Sequence, residues 1–365
     1  MPDDRGTLSI DFLVGFTIFM LAFIWVAAMI PGVLLGMQSS TIDTEAVAYR
    51  TGVILTEDPG WPSSPPWEFK SDLQKYDISR FGLALSKDTP NILSREKINR
   101  FFCSSFTPED YHVRAIFGEI PYHMNISITE LNAGIGNSTG EIIPMDYSYG
   151  YIRRLAMIKG SSNATLNRSY YAAHRFNYTK TGPDFNVTRH EFSILINTTK
   201  LQGQMKNPAY QINPTRDRIM VNLTDLRATI FPAPAATPVD PDDVRIRLSN
   251  VKIMKLENTI PPSLSTVIAD YDKAYINGGS SCAPPACIVE DNVSLVMEPS
   301  VFDLMGGTYS TVYINLTFDM EDIAGNPVKS SFLNNSCSRP FDYNYNPANV
   351  TQPQLSEAIV EVAIW

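Results

Sequence analysis

The stretch that decides the fold is Arg5-Gly6-Thr7-Leu8-Ser9-Ile10-Asp11, together with the apolar run that follows it, Phe12 to Met37. The run carries no charged side chain, and as a helix rising ~1.5 Å per residue it exceeds the ~30 Å hydrocarbon core of a bilayer. No second run of this length and apolarity occurs in the chain. The sequence therefore predicts one N-terminal membrane-spanning helix, which places everything downstream on one side of the membrane.

A cleavable secretory signal is the alternative interpretation of this run. Such a signal has an apolar region of ~7–15 residues with a cleavage site between small residues directly after it. The run is longer than this, and Leu34-Leu35-Gly36-Met37 offers no such site. We therefore expect the helix to remain on the protein.

The residues before the run follow a definite order: a short polar leader ending in Arg5-Gly6, a few small or apolar residues, and one acid, Asp11. This order resembles the class III signal peptide of archaeal type IV pilins and archaellins, and the resemblance covers residues 3–58. It implies that a prepilin-type peptidase cuts between Gly6 and Thr7 on the cytoplasmic side. Residues 1–6 would then be a leader, and the apolar helix would stay on the mature protein.

The same resemblance implies a role in assembly for Asp11. In that family, the acid at the fifth mature position pairs with the free amine of a neighbouring subunit in the filament core. A carboxylate at the centre of a bilayer costs ~2.5 kcal/mol or more and is retained where it has a partner. The alternative is that Asp11 lies at the membrane edge and extends its carboxylate into water.

Composition indicates a folded chain rather than a disordered one or a protein with many membrane spans. The 365 residues are 44% hydrophobic and 18% charged. More than 300 residues remain after the leader and the helix, which is more than one hydrophobic core usually organises, so two domains are expected. The formal net charge of −9 argues against nucleic acid as a partner and suits a solvated external surface.

Asn-x-Ser/Thr acceptor sites are frequent, and all of them lie in the part of the chain after residue 124. They predict that this part lies outside the cell and carries N-linked glycans. The alternative is an unmodified surface that is rich in Ser, Thr and Asn. The predicted glycosylation sites are Asn125, Asn137, Asn163, Asn167, Asn177, Asn186, Asn197, Asn222, Asn292, Asn315, Asn334 and Asn349.

The four cysteines form an even set, which in an oxidising compartment favours disulfides. A four-cysteine metal site is the weaker alternative because no Cys-x-x-Cys pair is present. Cys282 and Cys287 flank Ala-Pro-Pro-Ala, and we predict that they close a tight loop. The remaining pair, Cys103 and Cys337, would then join distant parts of the chain, with ~4–5 kcal/mol of loop-closure entropy at stake.

Helical spacing continues beyond the apolar run. Ile42, Ala46, Tyr49 and Val53 predict that the helix resumes as an amphipathic stalk lying against the head, until Asp58-Pro59-Gly60 ends it. Residues 7–58 are therefore predicted to form the transmembrane and amphipathic helix. A short helix is also predicted from the N-cap residue Ser94 to Phe102.

From residue 124 onward, apolar and polar residues alternate in short segments separated by Gly, Pro and Asn turns. The predicted fold class is α+β: a long N-terminal membrane and stalk helix followed by a β-rich, immunoglobulin-like sandwich ectodomain. The Pro-rich segment 233–243 is predicted to link head domain 1, residues 59–232, to head domain 2, residues 244–365. The predicted strands lie near residues 124–129, 151–158, 192–197, 219–223, 244–248, 251–256, 292–297 and 311–318.

The last segment, residues 358–365, is apolar on both faces of a strand, which predicts a central place in a sheet.

Three short motifs occur in the order found in penicillin-binding enzymes: Ser94-x-x-Lys97, Ser161-x-Asn163 and Lys180-Thr181-Gly182. In those enzymes the last two motifs are well separated, whereas here a short stretch joins Asn163 to Lys180, and Asn163 is itself a predicted glycosylation site. We interpret the order as accidental and predict that the protein is not an enzyme.

Two acidic groups offer oxygen ligands for a structural calcium ion: Asp240, Asp242 and Asp243, and separately Asp319, Glu321 and Asp322. Neither group matches the twelve-residue calcium loop with its central glycine, so solvated turns are the favoured interpretation and no metal site is predicted.

These observations favour a pilin-like subunit that is inserted in the membrane before it assembles into an extracellular type IV pilus-like filament. The large head favours a minor or adhesive subunit with an unidentified surface ligand. The predicted partners are the membrane, a prepilin-type peptidase and pilin subunits of the same or a related type. The N-terminus is expected in the cytoplasm and the ectodomain outside. The alternative is a non-polymerising, single-pass adhesin or envelope protein anchored at the cell surface.

Overall fold

A computed structural model describes residues 10–37, 40–117, 120–132, 134–143, 149–174, 188–232, 241–257, 263–266, 273–276, 280–282, 287–299, 302, 311–331 and 340–365. The α-helices within these residues are α1 (Ile10–Met37), α2 (Ser40–Glu57), α3 (Arg95–Phe101), α4 (Pro108–Tyr111), α5 (Arg168–Ala173) and α6 (Thr198–Gln204). Short 3₁₀ helices cover Trp67–Phe69, Asp72–Asp77, Arg227–Thr229 and Pro241–Asp243, and a short π-helix covers His112–Ile116.

The strands confirm a β-rich region after the N-terminal helices, as predicted. They are β1 (Ile92–Ser94), β2 (Met124–Glu130), β3 (Ile135–Gly140), β4 (Gly150–Lys159), β5 (Ser162–Leu166), β6 (Arg189–Asn197), β7 (Ile219–Leu223), β8 (Phe231–Pro232), β9 (Val244–Glu257), β10 (Ser263–Thr266), β11 (Lys273–Ile276), β12 (Ser280–Cys282), β13 (Cys287–Val289), β14 (Val293–Met297), β15 (Thr311–Asp322), β16 (Ser330–Ser331), β17 (Phe341–Tyr343), β18 (Val350–Thr351) and β19 (Leu355–Ile364).

Helix α1 is apolar around its circumference except at Asp11, and its side chains from residue 10 to residue 29 are exposed. Its segment Ile10–Met29 has a mean hydropathy of 2.4 and is long enough to cross a membrane, and none of it is buried within the protein. Even the indole of Trp25 is 68% exposed. A helix that is hydrophobic all round is suited to lipid rather than water. These are the properties of a membrane anchor or a signal sequence.

Helix α2 packs one face on strands β4 and β19. Val47, Ala48 and Leu55 are buried on this face, whereas Tyr49 on the opposite face is exposed. The helix ends at Glu57, directly before Asp58-Pro59-Gly60, as predicted. The amphipathic second helix thus lies against the β-rich part of the chain.

Two glycines allow this helix to approach the sheet closely. A Cβ atom at Gly150 would lie 2.1 Å from the carbonyl oxygen of Thr44 in α2, a backbone atom that cannot move aside. A Cβ atom at Gly52 would lie 2.9 Å from the Cγ2 atom of Ile152 in β4. Helix and strand are therefore in direct backbone contact at one point.

The sheet beneath α2 has the strand order β1-β4-β19-β2-β3. Strand β19 pairs antiparallel with both β4 and β2, so Ile364 lies opposite Gly150 on one side and Met124 on the other. Val360 and Val362 face the core shared with α2, while Ile359 is buried on the other face. The prediction that the last strand is central is confirmed.

Two six-stranded sheets share the second core. One has the order β10-β9-β15-β6-β17 with β13 added beside β9, and the other has the order β12-β11-β14-β7-β5-β18. Ile194 and Ile314 of the first sheet and Val221 and Leu295 of the second belong to one buried cluster. Strand pairs β1–β4, β5–β7 and β6–β17 are parallel, so the sheets are mixed rather than purely antiparallel. Alternation identifies a half-buried strand but not the direction of its neighbour.

The two hydrophobic cores divide the described residues at other positions than the predicted linker. The first core contains residues from Val47 to Ile158 and again from Ala358 to Ile364. The second contains residues between Ala164 and Val350, so Ile230 and Val244, on either side of the predicted linker 233–243, belong to one core. Most of that linker lies outside the described residues. We call the residues up to the end of β4, together with β19, the first unit, and the residues between β4 and β19 the second unit. The chain enters the second unit after β4 and returns to the first with β19.

One long strand replaces two predicted ones. Residues 244–248 and 251–256 both belong to β9. The pairing of β9 with β15 shifts between Phe318, opposite Leu248, and Thr317, opposite Asn250, so Ser249 is an extra residue. This β-bulge reverses the alternation, since Val244, Ile246 and Leu248 are buried before it and Val251 and Ile253 after it.

Candidate functional site

The predicted leader and assembly residues lie at the N-terminal end. Gly6 and Thr7 lie outside the described residues. Asp11 lies in the first turn of α1, and its side chain is exposed. It is the one charged residue of this helix. A negatively charged residue in the first turn of a helix is a favourable placement with respect to the helix dipole.

None of the predicted glycosylation sites within the described residues is buried. Asn137 and Asn167 are exposed, and the other described sites are partly exposed: Asn125, Asn163, Asn197, Asn222, Asn292, Asn315 and Asn349. Asn177, Asn186 and Asn334 lie outside the described residues. Glycosylation itself stays a prediction, with a surface compatible with it.

Three of these asparagines use the amide nitrogen to which a glycan would be attached. The Nδ2 atoms of Asn125, Asn197 and Asn315 donate hydrogen bonds to the Glu141 carbonyl, to Thr311 and to Glu191. A glycan at these positions would replace one such donor hydrogen. Asn137 and Asn167, both exposed, do not face this competition among the described residues.

The cysteines concern two predicted disulfides, one of which does not form. Cys103 is a half-buried free thiol after α3, so it does not form the predicted disulfide with Cys337. A hydrogen bond with Ser105 lowers the pKa of this thiol. Cys287 in β13 is buried and disulfide-bonded. Cys337 and the side chain of Cys282 lie outside the described residues, so the Cys282–Cys287 pair stays a prediction. The Cys103–Cys337 pair was predicted by elimination, as the two cysteines left over. The number of cysteines does not establish that two Cα atoms lie within the ~7 Å that a disulfide requires.

The acidic residues considered as calcium ligands have other partners. Asp319 forms a two-point ion pair with Arg189, with the shorter contact at 2.7 Å, and Glu321 pairs with Arg247. Asp322 accepts hydrogen bonds from Asn326 in the turn after β15. Asp240 lies outside the described residues, and Asp242 is 3.8 Å from Arg227. Within the described ranges, no group of three or more His, Cys, Asp and Glu residues is placed to hold a metal ion.

A cleft of about 480 Å³ opens between the two units. The first unit contributes the loop after α2, from Pro59 to Ser64, and the loop from Leu85 to Asp88. The second unit contributes Thr215 and Arg216. This volume lies within the range of ligand-binding clefts, ~300–1,000 Å³.

The base of the cleft holds two buried residues of opposite charge, Glu68 and Lys97, which are 8% and 5% exposed. The Nζ atom of Lys97 donates to the carbonyl oxygens of Pro59 and Ala84, both at 2.7 Å. The Oε2 atom of Glu68 is buried and accepts no hydrogen bond from the described residues. A lysine ammonium has three donors, so each of the two groups keeps bonding capacity.

Burial controls the ionisation of both groups. Desolvation raises the pKa of Glu68 to about 7, although the nearby positive charge of Lys97 acts in the opposite direction. Desolvation likewise lowers the pKa of Lys97, and the attraction of Glu68 opposes this change. Strongly perturbed acids in a cleft are more frequent at functional sites than elsewhere.

Ion pairs across the boundary between the units hold the second wall of the cleft. Lys159 at the end of β4 donates to Asp217 and to the Gln211 carbonyl, both at 2.7 Å. Arg218 lies 3.3 Å from Glu96 of the first unit. Arg216 directly precedes the anchored residues Asp217 and Arg218 in the sequence, so these contacts hold its backbone beside the cleft that it lines.

The motif residues that resemble penicillin-binding enzymes are partly brought together. Ser94 and Lys97 both line the cleft, with Ser94 at the N-cap position of α3 as predicted. The hydroxyl of Ser161 donates instead to Glu96, at 3.3 Å. Lys180, Thr181 and Gly182 lie outside the described residues.

Sequence patterns did not predict a functional role for Glu68 or Arg216. Glu68 stands between Trp67 and Phe69 after a Pro-rich turn, and an acid flanked by aromatic residues is the one local indication of burial. Arg216 has no comparable indication because its position depends on the packing of the second unit on the first.

The comparisons with known proteins each cover a small part of the chain. The model of a family of unknown function, DUF7287, matches residues 3–66. An uncharacterised protein of Archaeoglobus fulgidus is 38% identical over 60 residues, which is 16% of this chain and 31% of that relative. The chain thus matches less than a third of the length of this relative. No solved structure matches the chain.

Proposed function

We propose that this chain is a pilin-like subunit that is inserted in the membrane and then assembles through its N-terminal helix into an extracellular type IV pilus-like filament. Its large, glycosylated head fits a minor or adhesive subunit. The observation that carries the proposal is the exposed apolar helix α1, followed along the chain by a helix that packs on a sheet. An apolar helix whose side chains are exposed over residues 10–29 requires either lipid or other helices around that segment.

Assembly would exchange one apolar environment for another. In the membrane, lipid covers the apolar faces of α1, and in a filament the same faces pack against α1 of neighbouring subunits. Asp11 would lose contact with water in such a bundle, at a cost of ~2.5 kcal/mol or more. The amine freed by cleavage before Thr7 in a neighbouring subunit would supply the opposite charge.

The family match supports treating the N-terminal segment as a unit. The match, residues 3–66, begins before α1 and ends shortly after α2. It covers the elements on which the proposal rests and leaves out most of the head. The relative from Archaeoglobus fulgidus is an archaeal protein, in agreement with the resemblance to an archaeal signal peptide.

N-terminal peptide mass spectrometry of protein from the native cell envelope tests the processing. We expect a mature chain that begins at Thr7. A chain that begins at Met1 or Pro2 would contradict the proposal. It would favour the second candidate, a single-pass surface adhesin or envelope protein that does not polymerise and whose head binds its ligand while α1 stays in the membrane.

Two substitutions of Asp11 test assembly. Asp11→Asn removes the charge at nearly constant size, and we expect it to prevent filament formation while leaving the chain in the membrane. Asp11→Glu is the matched control because it keeps the charge, and we expect it to retain filaments. Filaments in the sheared cell fraction are counted by electron microscopy. Normal filament yield from Asp11→Asn would remove the electrostatic part of the proposal.

A further inference from the structure

Two buried polar groups at the base of the cleft between the units have hydrogen-bonding capacity that a ligand can use. The buried Oε2 atom of Glu68 accepts no hydrogen bond from the described residues. Lys97 uses two donors on backbone carbonyls, which leaves a third. A ligand group that both donates and accepts would satisfy both residues at once. A hydroxyl group has this property, whereas a simple anion or a simple cation does not.

One wall of the cleft presents a flat aromatic surface. Trp61 is 55% exposed and lines the cleft. Its backbone is held in place, since its N–H donates to the Arg80 carbonyl at 2.9 Å and its own carbonyl accepts from Ser79. The negative face of an aromatic ring attracts weakly positive C–H groups. A ring with C–H groups on one face and hydroxyls at its edge suits this wall.

The rim of the cleft carries more positive than negative charge. Lys87 and Arg216 are exposed at the rim and form no ion pair within the described parts of the chain, and Asp88 is the acid beside them. Arg80 is paired with Asp58 at 3.2 Å. The chain as a whole has a formal net charge of −9, so a basic rim is a local departure that favours an acidic group on the ligand.

We propose that this cleft binds an acidic saccharide, a sugar ring that carries a carboxylate. The ring lies on Trp61, a hydroxyl bridges Glu68 and Lys97, and the carboxylate binds Arg216 at the rim. The proposal rests on the proposed position of the head outside the cell and gives the head a ligand class. It does not depend on polymerisation, because every residue involved belongs to one chain.

The position of the cleft suits a ligand outside the cell. The loop that begins its first wall follows directly after Glu57, the last residue of α2. Helix α2 has 18 residues, and ~1.5 Å per residue gives a length of about 27 Å. The cleft therefore lies at the end of α2 that is distant from the membrane helix in the chain.

Binding of defined oligosaccharides to the detergent-purified full-length protein tests the proposal. The probes are trigalacturonate, which is acidic, maltotriose, which is neutral and of equal length, and inorganic sulfate as a free anion. Isothermal titration calorimetry measures the affinity. We expect trigalacturonate to bind at least about tenfold more tightly than either other probe, a difference of ~1.4 kcal/mol.

Single substitutions identify the site. Trp61→Ala and Arg216→Ala change exposed side chains, so they leave the fold intact, and each is expected to weaken trigalacturonate binding about tenfold or more. Glu68→Gln keeps the shape of the side chain and is expected to weaken it as well. The matched control, Arg245→Ala, removes an exposed arginine that does not line the cleft and should leave the affinity unchanged.

Several outcomes would overturn the proposal. They are no binding of trigalacturonate by the wild-type protein, equal binding of maltotriose, and an equal loss of affinity in Arg245→Ala, which would indicate general electrostatic attraction. Full retention of affinity in Trp61→Ala together with equal binding of sulfate would indicate a simple anion site. A mature chain beginning at Thr7 would stand in each of these cases, so failure of the saccharide site and failure of the pilin-like function are distinguishable.

Discussion

Replacement of Glu68 by Gln should change how the stability of the protein depends on pH. Burial raises the pKa of Glu68 from 4.5 to about 7. A group with a higher pKa in the folded state binds its proton more tightly there, so protonated Glu68 stabilises the fold at low pH. This stabilisation is lost as the pH rises from about 4.5 through about 7. One pKa unit corresponds to ~1.4 kcal/mol, so the full loss is about 3 kcal/mol.

The assay is the free energy of unfolding of the full-length protein in detergent, measured with a denaturant between pH about 4 and about 8. Gln has the shape of a protonated Glu and does not titrate. Subtracting the wild-type free energy of unfolding from that of the variant cancels the contributions of the other titrating groups. We expect the two proteins to be similar at pH about 4, and Glu68→Gln to be more stable by about 3 kcal/mol at pH about 8.

Two results would refute this reasoning. A difference that does not change with pH would show that Glu68 keeps an ordinary pKa. A wild type that gains stability over the variant as the pH rises would show that the attraction of Lys97 outweighs desolvation. Glu109→Gln, at an exposed position outside the cleft, is the control, and its difference from wild type should stay flat.

Three further predictions concern packing and cysteine chemistry. Gly150→Ala should lower the free energy of unfolding by ~1–3 kcal/mol, because its Cβ atom would meet a backbone carbonyl of α2. The control Gly203→Ala, which has open space around it in α6, should raise the free energy of unfolding by ~0.5–1 kcal/mol. Equal effects of the two substitutions would contradict the close contact between helix and strand. Ile364→Ala should lower the free energy of unfolding by ~2–5 kcal/mol. Leu155 in the neighbouring strand is 74% exposed, so Leu155→Ala should lower it by less than ~0.5 kcal/mol. A small effect of Ile364→Ala would argue against a central position of β19. Native protein should react with iodoacetamide at Cys103, as peptide mapping detects, and Cys103 found in a disulfide would contradict the free thiol.

Local patterns predicted the long helices and the longer strands. The end of α2 at Glu57, the N-cap residue Ser94 and the limits of β6 and β7 agree with the structure to within a few residues. Each depends on spacing or on turn residues within a few positions, which the sequence contains. Most of the short strands were not predicted, because two to six residues carry too little alternation to identify a strand. The bulge at Ser249 was also missed, because a reversed alternation has the same appearance as the end of one strand and the start of another.

The candidate cleft could not be predicted in the same way. Glu68 and Lys97 converge because α3 packs on the short helix Trp67–Phe69 within the first unit. Arg216 joins them because the second unit packs on the first through contacts such as Lys159 with Asp217. The burial that raises the pKa of Glu68 is likewise a property of the packed structure. Cys103 is a free thiol. Whether a cysteine forms a disulfide depends on its distance from another cysteine, which an even number of cysteines does not reveal.

The sequence by itself determined the apolar N-terminal helix, the helix that follows it and the alternating strands, because hydrophobic periodicity acts over a few neighbouring residues. It also determined that the final strand is buried on both faces. Only the tertiary structure decided that this strand returns to lie between β4 and β2, with Ile364 opposite Gly150, and that one cleft joins two units of the chain. Pairing depends on the free energy of contacts between distant residues, which no local pattern encodes.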